Sequence, residues 1–268
     1  MKKCLILAQL GLEKTKTNPL VGCVIVHKGS IISEGYHEKY GDAHAEVNAI
    51  NNTKKKELLA ESTLYVNLEP CSHHGKTPPC VDLIIKYKIP NIVIGSLDPF
   101  SKVNGNGINK LKQHTNVIVG VLLKECIKLN KTYFINHSLH RPLLILKWAE
   151  SKDGFINNLK PGMTKISCLE SIKLTHTWRG EIDAIMVGTN TIICDNPQLT
   201  NRYSQGKQPI RITIDRNNKL KHNRWNIMDQ HADTIILHNE KSKIVDNIKY
   251  IDIRKISQKQ NSKMLVKI

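Results

Sequence analysis

Residues 68–80 read LEPCSHHGKTPPC, and upstream of them residues 44–46 read HAE. His44, Cys71 and Cys80 offer one nitrogen and two sulfur ligands of the kind that zinc prefers in proteins. Three protein ligands leave the fourth tetrahedral position for water, which is the pattern of a catalytic rather than a structural zinc site. Zinc lowers the pKa of a bound water from about 15.7 toward about 7, so hydroxide is the expected nucleophile at neutral pH.

Glu46 is the candidate proton shuttle, because it is a carboxylate beside the ligands and is not itself a ligand. It would take a proton from the water and pass it to a leaving nitrogen. On an ideal helix His44 and Glu46 would not share a face, but at a helix start both can reach a point beyond its end. His73 and His74 remain alternative ligands, and two cysteines alone would fit a buried core equally well.

The segments around this pattern alternate between strand and helix. Short apolar runs predict strands at 21–26, 31–36, 62–68, 91–97 and 117–121. Helices are predicted at 2–12, at 45–52 and from residue 79 onward, where a proline suits the first helical turn. Alternation of this kind indicates an α/β layer fold.

A change of pattern near residues 130–142 predicts a domain boundary. Residues 136–138 have a turn-like composition, and Pro142 disfavours a helix across this region. Further strands are predicted at 143–147, 184–188, 210–215 and 234–237, with a helix at 168–178. The tail from residue 241 is rich in lysine and weakly patterned. We therefore expect one domain over residues 1–140 and a second over residues 143–268.

The composition favours a cytoplasmic protein. The 268 residues are 40% hydrophobic and hold seven cysteines, an odd number with no pairing pattern, which disfavours a disulfide scaffold. No apolar run approaches the length of about 18 residues that a membrane span needs, so no membrane partner is expected. The N-terminus lacks the apolar core and cleavage site of a signal peptide.

The net charge of +17 favours phosphate-bearing ligands through long-range attraction. It arises from 33 lysines and only seven arginines, with 5% aromatic residues. A nucleic-acid interface usually clusters arginine among aromatic side chains, so no nucleic-acid partner is expected.

The N-terminal half resembles the deaminase domain of the bifunctional deaminase/reductase family of riboflavin biosynthesis. The resemblance is carried by residues 18–26, which read NPLVGCVIV, by 44–46, by 68–80 and by the Asp98-Pro99 pair. It extends over about residues 1–140 and implies a cytidine-deaminase-like α/β/α sandwich. The implied reaction is hydrolytic deamination of 2,5-diamino-6-ribosylamino-4(3H)-pyrimidinone 5′-phosphate to 5-amino-6-(5-phosphoribosylamino)uracil.

By motif position, the resemblance implies one zinc ion per chain, with His44, Cys71 and Cys80 as ligands and Glu46 as the catalytic proton donor. It also implies a substrate pocket lined by Asn18, Lys76 and Asp98. The family usually has asparagine at the position of Phe100, so a polar contact to the substrate is expected to be lost there.

Residues 143–268 resemble the start of the family's reductase domain, which has a dihydrofolate-reductase-like fold and uses NADPH. The matching segments are 147–154, 183–191, 195–202 and 209–215. By position, cofactor contacts are implied for Ala149, Thr191 and Asp195. Substrate contacts are implied for Arg179, Leu199 and Arg202, and an arginine fork suits a phosphate because it donates two hydrogen bonds at once.

Three departures predict that this partial domain does not reduce its substrate alone. The family's Ser-x-Trp segment reads Met163-Thr164-Lys165, and Arg216 stands where a serine is usual. The sequence also stops before the family's glycine-containing pyrophosphate-binding segment. We therefore expect either a remnant or one half of a split enzyme, with a fully bifunctional enzyme as the alternative.

The sequence is compatible with three functions. The leading one is the riboflavin-pathway deaminase, acting on a small phosphorylated pyrimidine. The second is a deaminase of another nucleobase or nucleoside. The third is a non-enzymatic nucleic-acid-binding protein, suggested only by the charge. The sequence also leaves open a homo-oligomer or a separate reductase chain as partner.

Overall fold

The computed structural model describes residues 1–12, 14–15, 17–74, 78–157 and 164–254. The chain divides into two units between Leu144 and Ile145, and each carries its own five-stranded sheet. None of the helices in the described ranges has the length and apolar character needed to cross a bilayer.

The sheet of the first unit mixes antiparallel and parallel strands. Its strands are β1 (Gly22–His27), β2 (Ser30–Tyr36), β3 (Ser62–Val66), β4 (Asn91–Ile94) and β5 (Asn116–Val119), and their spatial order is β2-β1-β3-β4-β5. β1 pairs antiparallel with β2 and β3, whereas β3, β4 and β5 run parallel. The carboxyl ends of β3 and β4 therefore meet at one edge of the sheet.

Helices cover both faces of this sheet. The helices of the first unit are α1 (Lys2–Gln9), α2 (Ala45–Asn52), α3 (Cys80–Lys86), α4 (Asn106–Lys112), α5 (Leu123–Leu129) and α6 (Lys131–Leu139), with a 3-10 helix at Lys56–Glu61. Alternate β1 side chains serve opposite faces: Cys23 and Ile25 join the core under α2, α3 and α4, whereas Val24 packs with α1. The predicted α/β/α sandwich is confirmed.

Most element predictions in this unit hold to within a few residues, and the helix at Ala45–Asn52 has the predicted bounds. The turn predicted at 136–138 is wrong, because those residues lie inside α6. Helix α6 ends instead at His140, which adopts a left-handed conformation with φ of 50°. The turn preference of an Asn-His-Ser sequence is weak, and tertiary context overrides it here.

The second unit contains a mainly parallel sheet. Its elements are α7 (Leu169–Glu181), β6 (Ala184–Gly188), α8 (Thr189–Asp195), β7 (Ile210–Asp215), β8 (Thr234–His238), β9 (Lys243–Val245) and β10 (Ile248–Asp252), with a 3-10 helix at Asn226–Met228. The strand order is β6-β7-β8-β10-β9, and only β9 runs antiparallel to its neighbour. The prediction of a second α/β domain is confirmed.

In this half one predicted strand is wrong, and two strands were not predicted. The strand predicted at 143–147 is wrong: these residues form no strand, although the run is apolar, and Leu146 is 82% exposed. A strand needs a hydrogen-bonded neighbour, and among the described residues none pairs with this segment. The weakly patterned tail instead supplies β9 and β10, of which β10 pairs with β8 and β9 pairs with β10.

A buried arginine organises the second core. The Arg211 side chain on β7 is fully buried, and its guanidinium donates to Asp229 Oδ1 at 2.7 Å and to the carbonyl of Asn226 at 3.2 Å. Further bonds reach the carbonyls of Asp229 and Ala232. Removing the guanidinium would take one donor from each of these acceptors and leave the Asp229 carboxylate without its arginine partner.

We expect Arg211→Met to destabilise the second unit by about 3–5 kcal/mol, the usual cost of breaking a buried ion pair from one side. The measurement is urea unfolding followed by circular dichroism. The control is Arg216→Met, which removes an exposed guanidinium from the residue after β7. Equal stability of the two variants would show that the Arg211 network contributes little.

Candidate active site

Two helix N-termini and the loop after β3 bring the predicted zinc ligands together. His44 is the residue that precedes α2, with an extended backbone, and Cys80 is the first residue of α3. Cys71 lies in the loop beyond the carboxyl end of β3. Residues 27 and 36 positions apart in the sequence therefore meet at one point.

The ligand atoms are close enough to share one ion. The Nδ1 of His44 lies 3.4 Å from Cys71 Sγ and 3.3 Å from Cys80 Sγ. All three ligand atoms lie within 4.8 Å of one another, and no other described group of histidine, cysteine and acidic residues is placed to hold a metal. One imidazole and two thiols match the donor set that zinc prefers, so these residues fit the metal. His73 and His74 are not members of this cluster.

The cluster favours ionisation of one thiol over the other: the hydrogen bond with Cys71, together with burial, raises the pKa of Cys80 well above its ordinary value. The hydrogen bond from Cys80 lowers the pKa of Cys71 to about 4, against an opposing effect of burial, and His44 lowers it further. The hydrogen bond to Cys71 raises the pKa of His44 to about 9, although burial opposes it. A bound metal would have to displace the remaining protons, so metal affinity must depend on pH.

Glu46 sits in the first turn of α2 and is 3% exposed. Burial raises the pKa of its carboxyl to about 7, and the Cys71 charge adds to this while His44 opposes it. A carboxyl that ionises near neutral pH can both accept and return a proton. It is not part of the ligand cluster, as a proton shuttle requires.

His37 and Asn18 form a polar pair beside the cluster. His37 Nδ1 lies 3.1 Å from the Ala43 carbonyl, which can only accept a hydrogen bond, so Nδ1 carries the proton. His37 Nε2 is then free to accept from the Asn18 amide at 3.0 Å. The His37 and His44 rings meet edge to face, with centroids 5.5 Å apart. Burial lowers the pKa of His37, which keeps the ring neutral.

Asp98 lies just beyond the carboxyl end of β4 and is 7% exposed. Burial raises the pKa of its carboxyl to about 6, while hydrogen bonds from the Phe100 N–H and the Tyr133 hydroxyl oppose the rise. The Phe100 ring lies between His73 and His137, at centroid distances of 5.7 and 5.2 Å. Phe100 thus presents an aromatic surface to the cavity.

Glu69 ties the loop that bears Asp98 to the loop that bears Cys71. Its carboxylate accepts backbone N–H bonds from Asp98 at 3.2 Å, Gly105 at 3.0 Å and Ile108 at 3.2 Å. Gly107 comes so near that an added Cβ would lie 2.2 Å from the Pro70 carbonyl oxygen, so only glycine fits there. The two loops are therefore held at a fixed separation.

These groups line one cavity of about 420 Å³, a size suited to a small ligand. The predicted residues Asn18, His44, Glu46, Cys71 and Asp98 all contribute to its wall. Lys76 lies outside the described residues. The cavity wall also includes polar residues that sequence reasoning did not single out, among them His37, Tyr133, Asn136 and His137.

Of these residues, only His37 has a sequence feature that could have identified it. His37 directly follows β2 and lies seven positions before His44. A polar residue at a strand end is a candidate site residue, so His37 could have been identified from the sequence. Tyr133, Asn136 and His137 carry no local signal, because only the packing of α6 brings them to the cavity.

In the second unit, two of the residues predicted to contact substrate, Arg179 and Arg202, lie beside His176. Arg179 lies 3.3 Å from His176 and donates to the Thr200 carbonyl, while the Arg202 N–H donates to the other nitrogen of His176 at 3.0 Å. Leu199, three positions before Arg202, is buried and has a left-handed φ of 57°.

The three residues predicted to contact the cofactor do not lie on one element. Thr191 and Asp195 lie on α8, whereas Ala149 belongs to a segment without helix or strand. A depression at the carboxyl ends of β6 and β7 is lined by other residues, including Thr189, Asp215 and Arg216. Met163 lies outside the described residues.

Family models match both halves of the chain. Residues 1–96 match the cytidine and deoxycytidylate deaminase zinc-binding region, which contains β1 to β4 and all three candidate ligands. Residues 142–266 match the RibD C-terminal domain.

Curated relatives carry one name. The riboflavin biosynthesis protein RibD of Aquifex aeolicus is 39% identical, with the match covering 93% of this chain and 70% of that protein. RibD of Actinobacillus pleuropneumoniae is 45% identical over 80% of this chain, and RibD of Buchnera aphidicola is 38% identical over 94%. The match spans only 57% of the Actinobacillus protein's own length.

Two solved structures are similar to this chain over almost its whole length. The diaminohydroxyphosphoribosylaminopyrimidine deaminase/5-amino-6-(5-phosphoribosylamino)uracil reductase of Thermotoga maritima matches with a TM-score of 0.83 and 37% identity, covering 99% of this chain and 77% of that one. RibD of Acinetobacter baumannii matches with a TM-score of 0.80 and 30% identity, over 99% of this chain and 74% of its own. The chain therefore belongs to the RibD family of riboflavin biosynthesis proteins.

Proposed function

We propose that the first unit is a zinc-dependent hydrolase that deaminates 2,5-diamino-6-ribosylamino-4(3H)-pyrimidinone 5′-phosphate to 5-amino-6-(5-phosphoribosylamino)uracil. The observation that carries the proposal is the buried Glu46 carboxylate, which shares one cavity wall with the His44 and Cys71 members of the ligand cluster. Ligand set and proton shuttle together are what hydrolytic removal of an amino group requires.

The residues of this site divide the chemistry between them. His44, Cys71 and Cys80 would hold one zinc ion, whose Lewis acidity makes a water molecule a competent nucleophile at neutral pH. Glu46 takes the proton that water loses as its oxygen adds to the amino-bearing carbon. It then delivers a proton to the amino nitrogen, the C–N bond breaks, and ammonia leaves.

Substrate recognition falls to the polar groups of the same cavity. Asn18 and Asp98 offer an amide and a carboxylate to the heterocycle and its sugar. Lys76 is the proposed partner of the 5′-phosphate, on the strength of its position between the two cysteines of the 68–80 segment. The net charge of +17 supports a phosphorylated ligand by attracting it over long range.

The decisive experiment incubates the purified, zinc-loaded protein with the diaminopyrimidine phosphate and measures ammonia and the aminouracil product. Parallel incubations contain cytidine or deoxycytidylate at the same concentration. Turnover of the diaminopyrimidine phosphate alone supports the proposal. Preferential release of ammonia from cytidine or deoxycytidylate would replace it with a deaminase of another substrate.

For the second unit, we propose that Arg179, Leu199 and Arg202 contact the ribosyl phosphate of the deaminated product, and that Ala149, Thr191 and Asp195 contact NADPH. The closeness of Arg179 and Arg202 to His176 supports an anion site, because no ion pair of either arginine exists among the described residues. We also propose a homo-oligomer or a separate reductase chain as a partner of this unit.

We expect this chain alone not to oxidise NADPH with the deaminated substrate. Ala149 lies on a segment with no strand partner among the described residues, and positional errors of about 1 Å cost about 100-fold in rate. The measurement is absorbance at 340 nm, with the Thermotoga maritima deaminase/reductase as positive control. Stoichiometric NADPH oxidation that depends on this protein would show that its second unit is a competent reductase.

We also propose a cytoplasmic location, with a small-molecule substrate and neither a nucleic acid nor a membrane as partner. The zinc thiol ligands support this, because free thiols persist in a reducing compartment.

A further inference from the structure

Helix α6 brings a tyrosine to the carboxylate of Asp98. The Tyr133 hydroxyl donates to Asp98 Oδ1 at 2.9 Å, and the Phe100 N–H donates to the same oxygen at 2.8 Å. Both side chains line the cavity that contains the zinc ligands. Residues 35 positions apart in the sequence are thus joined at the wall of the candidate site.

The two oxygens of Asp98 have different surroundings. Oδ1 accepts both hydrogen bonds, whereas Oδ2 accepts none from the part of the chain that the structure describes. Because Asp98 lines the cavity, Oδ2 is the oxygen left to accept a hydrogen bond from a ligand donor. Two bonds to one oxygen also fix the rotation of the carboxylate plane.

Tyr133 is itself held by its neighbours. Its ring lies 4.4 Å from the His137 ring, one helical turn further along α6, and 6.4 Å from the Phe134 ring. The His137 ring in turn contacts Phe100. Burial, together with the Asp98 charge, raises the pKa of Tyr133 well above its usual range, so the hydroxyl remains a donor.

We propose that Tyr133 is a positioning residue of the deaminase site, which holds Asp98 so that Oδ2 accepts a hydrogen bond from an N–H or hydroxyl donor of the substrate. This inference rests on the proposed function, and it adds α6 to the substrate-binding machinery. Tyr133 contacts none of His44, Cys71 and Cys80 through a described hydrogen bond, so it acts on binding through Asp98.

The first test is Tyr133→Phe, which removes only the hydroxyl. We expect KM for the diaminopyrimidine phosphate to rise about 10-fold, the scale of one hydrogen bond to a charged group. The value of kcat should change less than KM, and the zinc content should stay at that of the wild type. The matched control is Tyr65→Phe, because Tyr65 packs with α1 and does not line the cavity. A KM equal to that of the control would overturn the proposal.

A double-mutant cycle separates positioning from a general structural role. If Tyr133 acts through Asp98, Tyr133→Phe should change KM by less than about 2-fold in an Asp98→Asn background. A full additive effect in that background would overturn the proposal. So would a lower melting temperature for Tyr133→Phe with an unchanged KM.

A second measurement decides the inference independently of activity. In ¹³C NMR titrations of the zinc-loaded protein, Tyr133→Phe should raise the pKa of the Asp98 carboxyl, because the lost hydrogen bond stabilised its charged form. Identical titration curves would overturn the Tyr133–Asp98 link. A wild-type protein that deaminates none of the tested substrates would overturn the proposed function instead, and the titration would still decide the inference.

Discussion

Glu46→Gln is expected to keep its zinc and to lose deamination by about 100-fold or more, the usual scale of a positioned proton shuttle. Glutamine has nearly the same shape as glutamate, but its amide cannot accept and return the proton. The carboxyl is 3% exposed at the start of α2, and burial raises its pKa to about 7, so it can both accept and release a proton near neutral pH.

The measurement is kcat for ammonia release alongside elemental analysis of zinc. Glu57→Gln is the control, since it makes the same chemical change at an exposed position on the 3-10 helix of the first unit. A Glu46→Gln protein with near wild-type kcat would remove Glu46 from the mechanism. Loss of zinc in this variant would show that the carboxylate supports the metal rather than the proton transfer.

Cys80→Ser should abolish both stoichiometric zinc binding and deamination. The Cys80 sulfur is fully buried and lies 3.3 Å from His44 Nδ1, so its loss removes one of only three protein ligands. A serine hydroxyl is a poor replacement, because it does not ionise near neutral pH as a coordinating thiol does. The protein should also melt at a lower temperature, since a tightly bound ligand at 1,000 times its Kd contributes about 4 kcal/mol.

Zinc per chain and the melting temperature before and after chelation check this expectation. Cys168→Ser is the matched control, because Cys168 is an exposed free thiol in the second unit. Chelation should lower the melting temperature of the control but leave that of Cys80→Ser unchanged. Full zinc content in Cys80→Ser would reject this ligand set.

The chemistry of the metal cluster could be predicted from sequence because it depends on residue type. His44, Cys71 and Cys80 are recognisable as a set because one imidazole, two thiols and a neighbouring carboxylate lie within the 44–46 and 68–80 segments. The structure adds that the Nδ1 of His44 faces the sulfurs, which follows from the position of His44 just before α2. Local patterns also defined α2, because its apolar residues recur at helical spacing.

Features that depend on distant packing could not be predicted. The role of Tyr133 depends on how α6 approaches the loop after β4, and nothing near residue 133 encodes that approach. The apolar run at 143–147 has the composition of a strand, but a ladder requires a neighbour that composition does not supply. Conversely, β10 escapes notice among lysines because its stability comes from its pairing with β8.

The carboxylate of Glu69 has a consequence for how the substrate range of this site can change. Glu69 lies two residues before Cys71, and its carboxylate accepts hydrogen bonds from the backbone after β4. The loop that bears Cys71 and the loop that bears Asp98 therefore form one connected frame. A larger heterocycle cannot be admitted by spreading these two walls without breaking three hydrogen bonds. Adaptation to new substrates would therefore proceed through side chains on α6, such as His137, while the frame stays constant.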